Sequence, residues 1–487
     1  MTNKLLLHFS TYSFGGILIA LAGMVSFPIL TRVFTVEEYG VMNLVSITLT
    51  IVVGISKLGI HNSIVRYVHE VRNNHSNITN NELFNSVFFG MLFISFITSI
   101  LWLVVSYFIP ESYFNGNNIY PILLVVTALI PLRVIFSFFA NTLKSLEKSA
   151  MLTSYKVIQR YLSLGLMLVV LFFMLKSLLG FYIAIVAAEL VVVVVMCRHV
   201  FREFDLDVTE FKFEILRPMV KYGAPLMMYE LSSAFLSTGD RYLIQFLIGT
   251  AEMGLYSAAY NLCEYVYTIF VVSVGSAILP MYMRIWEENG EIETKKFLNE
   301  TLYYYMLLAV PIVFGFSVMG EDLINIMASN KYSESASIMP YVIAGMLIQG
   351  TVLIFAAGLY INKNTALLMW LVLSCVVINV LLNLVLIPLY GIDGAAISTL
   401  LSYIVLAAMG YYFGRNALSI KFPFVILFKT LLASSGMSLV IIQFSVSSSI
   451  PDFLLSVTLG ALTYGVCMLF LDKNMRNITY KKIQRFI

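Results

Sequence analysis

The residues best suited to chemistry in this chain are charged side chains that interrupt long apolar segments. Arg133, Arg160 and Arg241 are candidate substrate-binding residues because a guanidinium group can bind a phosphate through two parallel hydrogen bonds. Four acids in similar positions could pair with the arginines or bind a coupling proton or Na⁺: Glu189, Glu230, Asp240 and Glu264. Because a charge in hydrocarbon is costly, we expect these groups to face a hydrated, cationic cavity rather than lipid.

The spacing of polar residues indicates that helices carry these groups. Tyr256, Tyr260 and Glu264 recur every four residues, which places them on one face of a helix. The two tyrosines could stack on sugar rings, although such rings also pack in ordinary interiors. Asp240 and Arg241 are neighbours about 100° apart on a helix, so each needs another partner, and we expect Arg241 to face the cavity. The alternative for the whole set is that acid–base pairs cancel and polar groups only hold helices together.

Composition predicts an all-α polytopic membrane protein. Of the 487 residues, 60% are hydrophobic and 12% are charged, against about 25% charged in soluble domains. A soluble enzyme or a nucleic-acid-binding protein could not hide so much apolar surface behind so few charges. The sequence contains no phosphate-binding loop of the type G-x-x-x-x-G-K-S/T. We therefore expect no catalytic residue, no cofactor and no metal site, apart from possible coupling to H⁺ or Na⁺.

Fourteen apolar segments are long enough to cross a bilayer, which needs ~20 residues. They lie near 11–34, 39–57, 84–109, 119–141, 151–175, 178–198, 220–248, 253–279, 298–319, 336–361, 365–387, 392–414, 422–444 and 452–471. If the N-terminus is cytoplasmic, most of the 30 lysines and arginines fall in cytoplasmic segments, as the positive-inside rule requires. We therefore expect an inner (plasma) membrane protein with both termini in the cytoplasm.

Two landmarks indicate an internal duplication. Gly40 aligns with Gly254, and Gly180 aligns with Gly394, both at an offset of 214 residues. Six spans per unit would give two pseudo-symmetric bundles around a central cavity, although glycines at tight turns also recur by chance. The predicted organisation is a bundle at 1–203, a cytoplasmic linker at 204–219, a second bundle at 220–415, two extra helices at 416–471 and a cytoplasmic basic tail at 472–487.

Several short motifs, taken in order, resemble those of a transporter family. The chain reads PILTRVF at 28–34, EEYG at 37–40, YGAPL at 222–226, GDRY at 239–242 and NVLLN at 379–383. These segments resemble Wzx-type members of the polysaccharide transporter family in the multidrug/oligosaccharidyl-lipid/polysaccharide (MOP) exporter superfamily. The resemblance implies a MOP/MATE-like fold. It also adds Arg32 to the candidate substrate-binding residues, since the related lipid II flippases share an arginine in the first span.

The resemblance implies a flippase that moves undecaprenyl-pyrophosphate-linked oligosaccharide from the inner to the outer leaflet of the bacterial plasma membrane by alternating access. Such transport serves the biosynthesis of O-antigen (and hence lipopolysaccharide), capsule or exopolysaccharide. The implied partners are the lipid-linked glycan, membrane lipids, and the polymerase and chain-length regulator of the same pathway. Nucleic acid is not an expected partner.

Two other functions remain open from the sequence. A cation-coupled multidrug exporter of the same superfamily would favour acids and aromatic residues in its cavity over several arginines. The third class is a non-transporting membrane enzyme or scaffold, but Asp205 and Asp207, which match a D-x-D pattern, fit solvated loop charges better. His61, His69 and His75 lack metal-ligand spacing, and we interpret the segment 58–83 as a cytoplasmic loop.

Overall fold

The computed structural model describes residues 2–72, 78–110, 119–202, 204–444 and 449–477, and this part of the chain forms helices and no β-strand. The helices up to Leu247 are α1 (Thr2–Val33), α2 (Val36–Ser56), α3 (Ile60–Arg72), α4 (Asn80–Tyr107), α5 (Tyr120–Thr127), α6 (Leu129–Ser145), α7 (Ser149–Phe173), α8 (Leu178–Val200), α9 (Phe213–Thr238) and α10 (Asp240–Leu247). The later helices are α11 (Thr250–Tyr267), α12 (Ser273–Met327), α13 (Met339–Phe355), α14 (Ala357–Ile361), α15 (Thr365–Gly414), α16 (Phe424–Phe444) and α17 (Ile450–Leu471). The predicted all-α class is confirmed.

Local sequence signals fix where two of the early helices begin. At the start of α2 the Thr35 hydroxyl accepts a hydrogen bond from the Glu38 N–H at 3.1 Å, and the Glu38 carboxylate accepts one from the Thr35 N–H at 2.9 Å. Thr79 and Glu82 form the same reciprocal pair at the start of α4. Such capping boxes satisfy N–H groups that the first turn of a helix leaves without a partner.

Eleven helical segments of the described chain are long and apolar enough to cross a membrane. Two of them, Ile278–Met327 and Thr365–Gly414, contain 50 residues each, which is roughly 75 Å of continuous helix and more than twice the thickness of a hydrocarbon core. Each is interrupted at one glycine with a positive φ, Gly290 (φ 79°) and Gly391 (φ 58°), a conformation that glycine adopts without steric cost. The protein is therefore a multi-pass membrane protein.

Contacts divide the chain into two compact units. Unit 1 consists of Met1–Ser26, Val33–Gly254 and Thr365–Val377, and unit 2 consists of Phe27–Arg32, Leu255–Asn364 and Ile378–Ile487. The organisation predicted from sequence, with boundaries at 203, 219, 415 and 471, stays a prediction. Residues 478–487 of the predicted basic tail lie outside the described residues.

In unit 1, the segment interpreted as a cytoplasmic loop is mostly helical. α3 covers Ile60–Arg72 and packs against α6 and α9. Its buried apolar residues Ile60, Ile64 and Val71 recur at helical spacing on one face, and the polar residues His61 and Ser63 are buried beside them. The loop interpretation was wrong because the polar residues obscured this periodic apolar face. His75 lies outside the described residues.

Gly40 and Gly254, the glycines aligned by the predicted duplication, lie against each other in unit 1. A Cβ atom on Gly40 would lie 2.7 Å from the Thr250 carbonyl oxygen, and one on Gly254 would lie 2.1 Å from the Val36 carbonyl oxygen. The absence of a side chain at both positions lets the first turns of α2 and α11 approach this closely. A reciprocal contact between equivalent positions is the geometry expected near a two-fold axis, and the duplication itself stays a prediction.

Unit 2 has an apolar core that includes the fully buried residues Tyr282, Leu298 and Leu302 of α12. Just beyond α17, the Asp472 carboxylate accepts hydrogen bonds from the Tyr303 hydroxyl at 2.8 Å and from the Lys429 ammonium group at 3.0 Å. Burial alone would raise the pKa of Asp472, but the Met475 N–H, the Tyr303 hydroxyl and Lys429 together hold it below its usual value. This carboxylate therefore ties α12, α16 and the end of α17 together.

Candidate functional site

Three of the charged residues predicted from the sequence come together inside unit 1: Arg133, Glu189 and Glu230. Helices α2, α3, α6, α8 and α9 each contribute to a group that we name the charged cluster. Its members are Lys57, His61, Asn62, Arg133, Glu189 and Glu230.

Glu230 of α9 is bound by two side chains of α3. Asn62 Nδ2 donates a hydrogen bond to Glu230 Oε1 at 2.9 Å, and His61 Nε2 lies 3.4 Å from Glu230 Oε2. The side chains differ in exposure: His61 is 8% exposed and Glu230 is 53% exposed. The other ring nitrogen of His61, Nδ1, is buried and makes no hydrogen bond with the described residues. The Glu230 carboxylate thus lies at the exposed edge of the site, and the buried His61 side chain lies behind it.

The tight crossing of α3 and α9 explains why these side chains meet. A Cβ atom on Gly223 would lie 2.2 Å from the Gly59 carbonyl oxygen, so the two backbones touch. One turn into α3, the Ser63 hydroxyl donates a hydrogen bond to the Met219 carbonyl oxygen at 2.7 Å. Glu230 lies about two turns further along α9 from Gly223, within reach of the first turn of α3.

Arg133 and Glu189 form the second pair of the cluster. The Arg133 guanidinium donates from Nε to both carboxylate oxygens at 3.0 and 3.2 Å, and its terminal nitrogen lies 2.9 Å from Oε1. The Glu189 side chain is 7% exposed and that of Arg133 is 30% exposed. This bidentate pair cancels much of the positive charge that Arg133 was expected to give the cavity.

Lys57 links the two pairs. It lies at the end of α2 and interacts electrostatically with both Glu230 and Arg133. No described residue lies within ion-pair distance of its ammonium group. The two cations Lys57 and Arg133 balance the two carboxylates Glu189 and Glu230 in formal charge. The described residues thus give a less cationic site than the sequence suggested, because Glu189 pairs with Arg133 and Glu230 lies close enough to Lys57 to interact with it electrostatically.

Arg160 is not brought into this cluster. It lies on α7 with its side chain partly exposed, and neither a hydrogen bond nor an ion pair joins it to another described residue. Arg32, in unit 2, is bonded to backbone: its guanidinium donates to the carbonyl oxygens of Ile326 at 2.7 Å and Met327 at 3.1 Å. These carbonyls end α12, where a cation is favoured by the helix dipole. For both arginines, substrate binding stays a prediction.

Asp240 and Arg241 lie at the first turn of α10 and are 0% and 2% exposed. One carboxylate oxygen of Asp240 accepts a hydrogen bond from the Arg241 backbone N–H at 2.9 Å, which suits an acid at a helix N-terminus. Neither side chain is open to solvent in this conformation. A contact between Arg241 and substrate stays a prediction and requires a conformation in which this turn is exposed.

Tyr256, Tyr260 and Glu264 lie on α11 as the spacing predicted. The two tyrosine rings are buried and their centroids are 5.9 Å apart at a tilt of 35°, whereas Glu264 is exposed. The rings therefore pack against each other in this conformation, and sugar stacking stays a prediction.

Sequence reasoning missed His61 and Asn62, which contact Glu230. Their signal was their place directly after Leu58-Gly59, where two residues with positive φ turn the chain from α2 into α3.

In the linker, Asp207 accepts hydrogen bonds from the hydroxyl and N–H groups of Thr209, and these bonds lower the pKa of Asp207. Among the described residues, no group of three His, Cys, Asp or Glu side chains is placed to bind a metal ion.

Charged groups buried among the helices of a multi-pass membrane protein are typical of membrane transporters, in which they line substrate and ion pathways. Within that class, a family model described as "Polysaccharide biosynthesis protein" matches residues 29–337. The chain therefore belongs to the polysaccharide biosynthesis protein family.

Comparison with individual proteins gives distant relatives. A probable low-salt glycan biosynthesis flippase, Agl15 of Haloferax volcanii, is 22% identical over 278 residues, which is 56% of this chain and 58% of the relative. The chain thus matches little more than half the length of this relative.

Solved structures share the fold. The lipid II flippase MurJ in an inward closed conformation superposes with a TM-score of 0.78 at 16% identity, covering 96% of this chain and 98% of that one. An inward-facing multidrug resistance MATE transporter of the MOP superfamily gives a TM-score of 0.66 at 12% identity, covering 84% and 94%. The protein therefore has the fold of the MOP superfamily.

Proposed function

We propose that this protein is a flippase that moves a lipid-linked oligosaccharide from the inner to the outer leaflet of a bacterial plasma membrane. The observation that carries the proposal is the charged cluster of unit 1, because charged groups among the helices of a membrane protein mark the path of a polar substrate or ion. The family match and the glycan flippase among the relatives support the cargo class. The specific cargo that we propose is an undecaprenyl-pyrophosphate-linked repeat unit of O-antigen, capsule or exopolysaccharide.

The proposed topology has fourteen membrane crossings with both termini in the cytoplasm. The break at Gly391 supports it, because it divides the segment Thr365–Gly414 into two helices that are each long enough to cross the bilayer once. The break at Gly290 falls between the predicted spans 253–279 and 298–319, where a cytoplasmic turn is expected. We propose two bundles of six helices related by the duplication, followed by α16 and α17. The contact between Gly40 and Gly254 supports the duplication.

In the proposed mechanism the charged cluster lowers the cost of carrying a diphosphate past hydrocarbon. Lys57 supplies an ammonium group that forms no ion pair with a described carboxylate. Arg133 supplies a guanidinium group whose orientation is fixed by its bonds to Glu189. Glu230 is the accessible acid of the cluster, and we assign to it the coupling proton or Na⁺. No bond is made or broken, so alternating exposure of the site to the two sides of the membrane suffices for transport. A polymerase and a chain-length regulator would then use the delivered product.

One observation favours a second candidate, a cation-coupled multidrug exporter. The acids Glu189 and Glu230 balance the cations of the cluster, so its net charge suits an organic cation better than several unpaired arginines would. The MATE structure shows that the same fold occurs in a multidrug resistance transporter.

Removal of the gene separates the two candidates, and substitution of Lys57 tests the role of the charged cluster. In the source strain with its own gene removed, Lys57→Met should reduce surface glycan at least tenfold while the protein remains in the membrane at normal abundance. Lys176→Met is the matched control, because Lys176 is an exposed lysine outside the cluster. The exporter is favoured instead if surface glycan is unchanged in the strain without the gene and its resistance to organic cations falls.

A further inference from the structure

Unit 1 contains an apolar groove of about 830 Å³. It lies between the start of α3, the middle of α4, the linker segment at 208–211 and the first two turns of α9. We name it the α4–α9 groove. Its lining includes Phe93, Phe96, Val208, Phe211, Phe213 and Arg217.

The groove is apolar with one charged group in its lining. Phe93, Val208 and Phe213 are large side chains that are exposed on its wall. They continue the exposed apolar face of α4, which includes Ile97 and Ile100. In a membrane protein such a face lies against lipid chains, so the groove opens onto the bilayer. A lipid acyl chain that enters the groove buries apolar surface against its walls.

Arg217 is the ionisable residue in the lining. It is exposed, and it forms no hydrogen bond or ion pair with the described residues. Two of the acids nearby are engaged elsewhere: Asp207 is bonded to Thr209, and Glu210 accepts a hydrogen bond from Asn85 at 3.0 Å. The other two, Asp205 and Glu214, form no ion pair with Arg217. Lys212 is engaged by Glu82. The Arg217 guanidinium group therefore lies at an apolar groove and is available to bind an anion.

We propose that the α4–α9 groove binds one glycerophospholipid of the bilayer, with the phosphodiester on Arg217 and an acyl chain along the phenylalanine-rich wall. A guanidinium group suits a phosphodiester, which carries one charge, and an arginine near the end of a membrane-spanning helix can reach the level of the lipid head groups. A polyprenyl diphosphate carries more charge and would need more than one arginine. This site is separate from the charged cluster, and the proposal does not depend on the transport function.

Native mass spectrometry of the purified full-length protein tests this site. The protein is stripped of loosely bound lipid and titrated with phosphatidylglycerol, phosphatidylethanolamine or undecaprenyl phosphate. Wild-type protein should retain one tightly bound glycerophospholipid. Arg217→Gln should weaken that binding by about fivefold, the effect of losing one partly solvated charge-assisted contact of about 1 kcal/mol. Phe213→Ser should weaken it further, because it removes part of the apolar wall.

Arg202→Gln is the matched control, since Arg202 is an exposed arginine outside the groove lining. It should bind lipid as wild type does. Equal lipid binding by wild type, Arg217→Gln and Phe213→Ser would overturn the proposal, because the retained lipid would then be general boundary lipid. Preferential retention of undecaprenyl phosphate that depends on Arg217 would overturn the assignment to a glycerophospholipid. The melting temperatures of the variants, measured without added lipid, should match wild type.

Discussion

The pair formed by Arg133 and Glu189 yields an asymmetric prediction for stability. Glu189 is 7% exposed and Arg133 is 30% exposed, so removing one partner leaves very different groups behind. Arg133→Gln leaves a carboxylate in a site that water barely reaches, and breaking a buried pair in this way costs about 3–5 kcal/mol. Glu189→Gln leaves a guanidinium group that is less enclosed by protein, so we expect the cost to fall to about 1–2 kcal/mol.

Equilibrium unfolding in mixed detergent micelles, followed by circular dichroism, measures both costs. We expect Arg133→Gln to be less stable than Glu189→Gln. In the double variant the two costs should not add, because the second substitution removes a charge that the first has left without a partner. Arg198→Gln is a suitable control, since it removes an exposed arginine near the end of α8. Equal costs for the two single variants, or simple addition in the double variant, would refute the reasoning.

Two further predictions concern unit 2 and α10. Because the pKa of Asp472 is held below its usual value, its stabilising contribution is present above about pH 4, the pKa of an unfolded aspartate, and is lost as the pH falls through the lower folded value. Asp472→Asn should therefore lower the melting temperature at pH 7, and the difference from wild type should shrink below about pH 4. A constant difference at all pH values would contradict this. Arg241→Ala should stop glycan export at normal protein abundance, and Arg241→Lys should restore it only partly, because an ammonium group lacks the bidentate fork. Loss of folded protein in step with export would instead assign Arg241 to helix packing.

The membrane class and the existence of a charged site could be predicted from the sequence. Long apolar segments have one viable structure in lipid, so the all-helical class followed from hydropathy. The charges inside those segments were conspicuous for the same reason, and Glu189 and Glu230 do lie in the charged cluster.

The pairing inside the site could not be predicted. Arg133 and Glu189 are 56 residues apart, and helical spacing gives the face of each residue but not the neighbouring helix. The same limit hid the contact of His61 with Glu230. It depends on the close approach of Gly59 and Gly223, which no local pattern specifies. Arg241 was expected in a cavity but is 2% exposed in this structure, because the sequence shows that a charge lies within a helix but not which neighbouring helices cover it.

Lipid movement by the purified protein tests the central claim most directly. Vesicles containing the protein are loaded with an undecaprenyl-pyrophosphate-linked oligosaccharide that carries a fluorescent sugar, and a membrane-impermeant reductant destroys the fluorescence on the outside. If the protein is a flippase, the protected fluorescence should decay with wild-type protein and with Lys176→Met, and much more slowly with Lys57→Met. Decay no faster with wild-type protein than in protein-free vesicles would contradict the account.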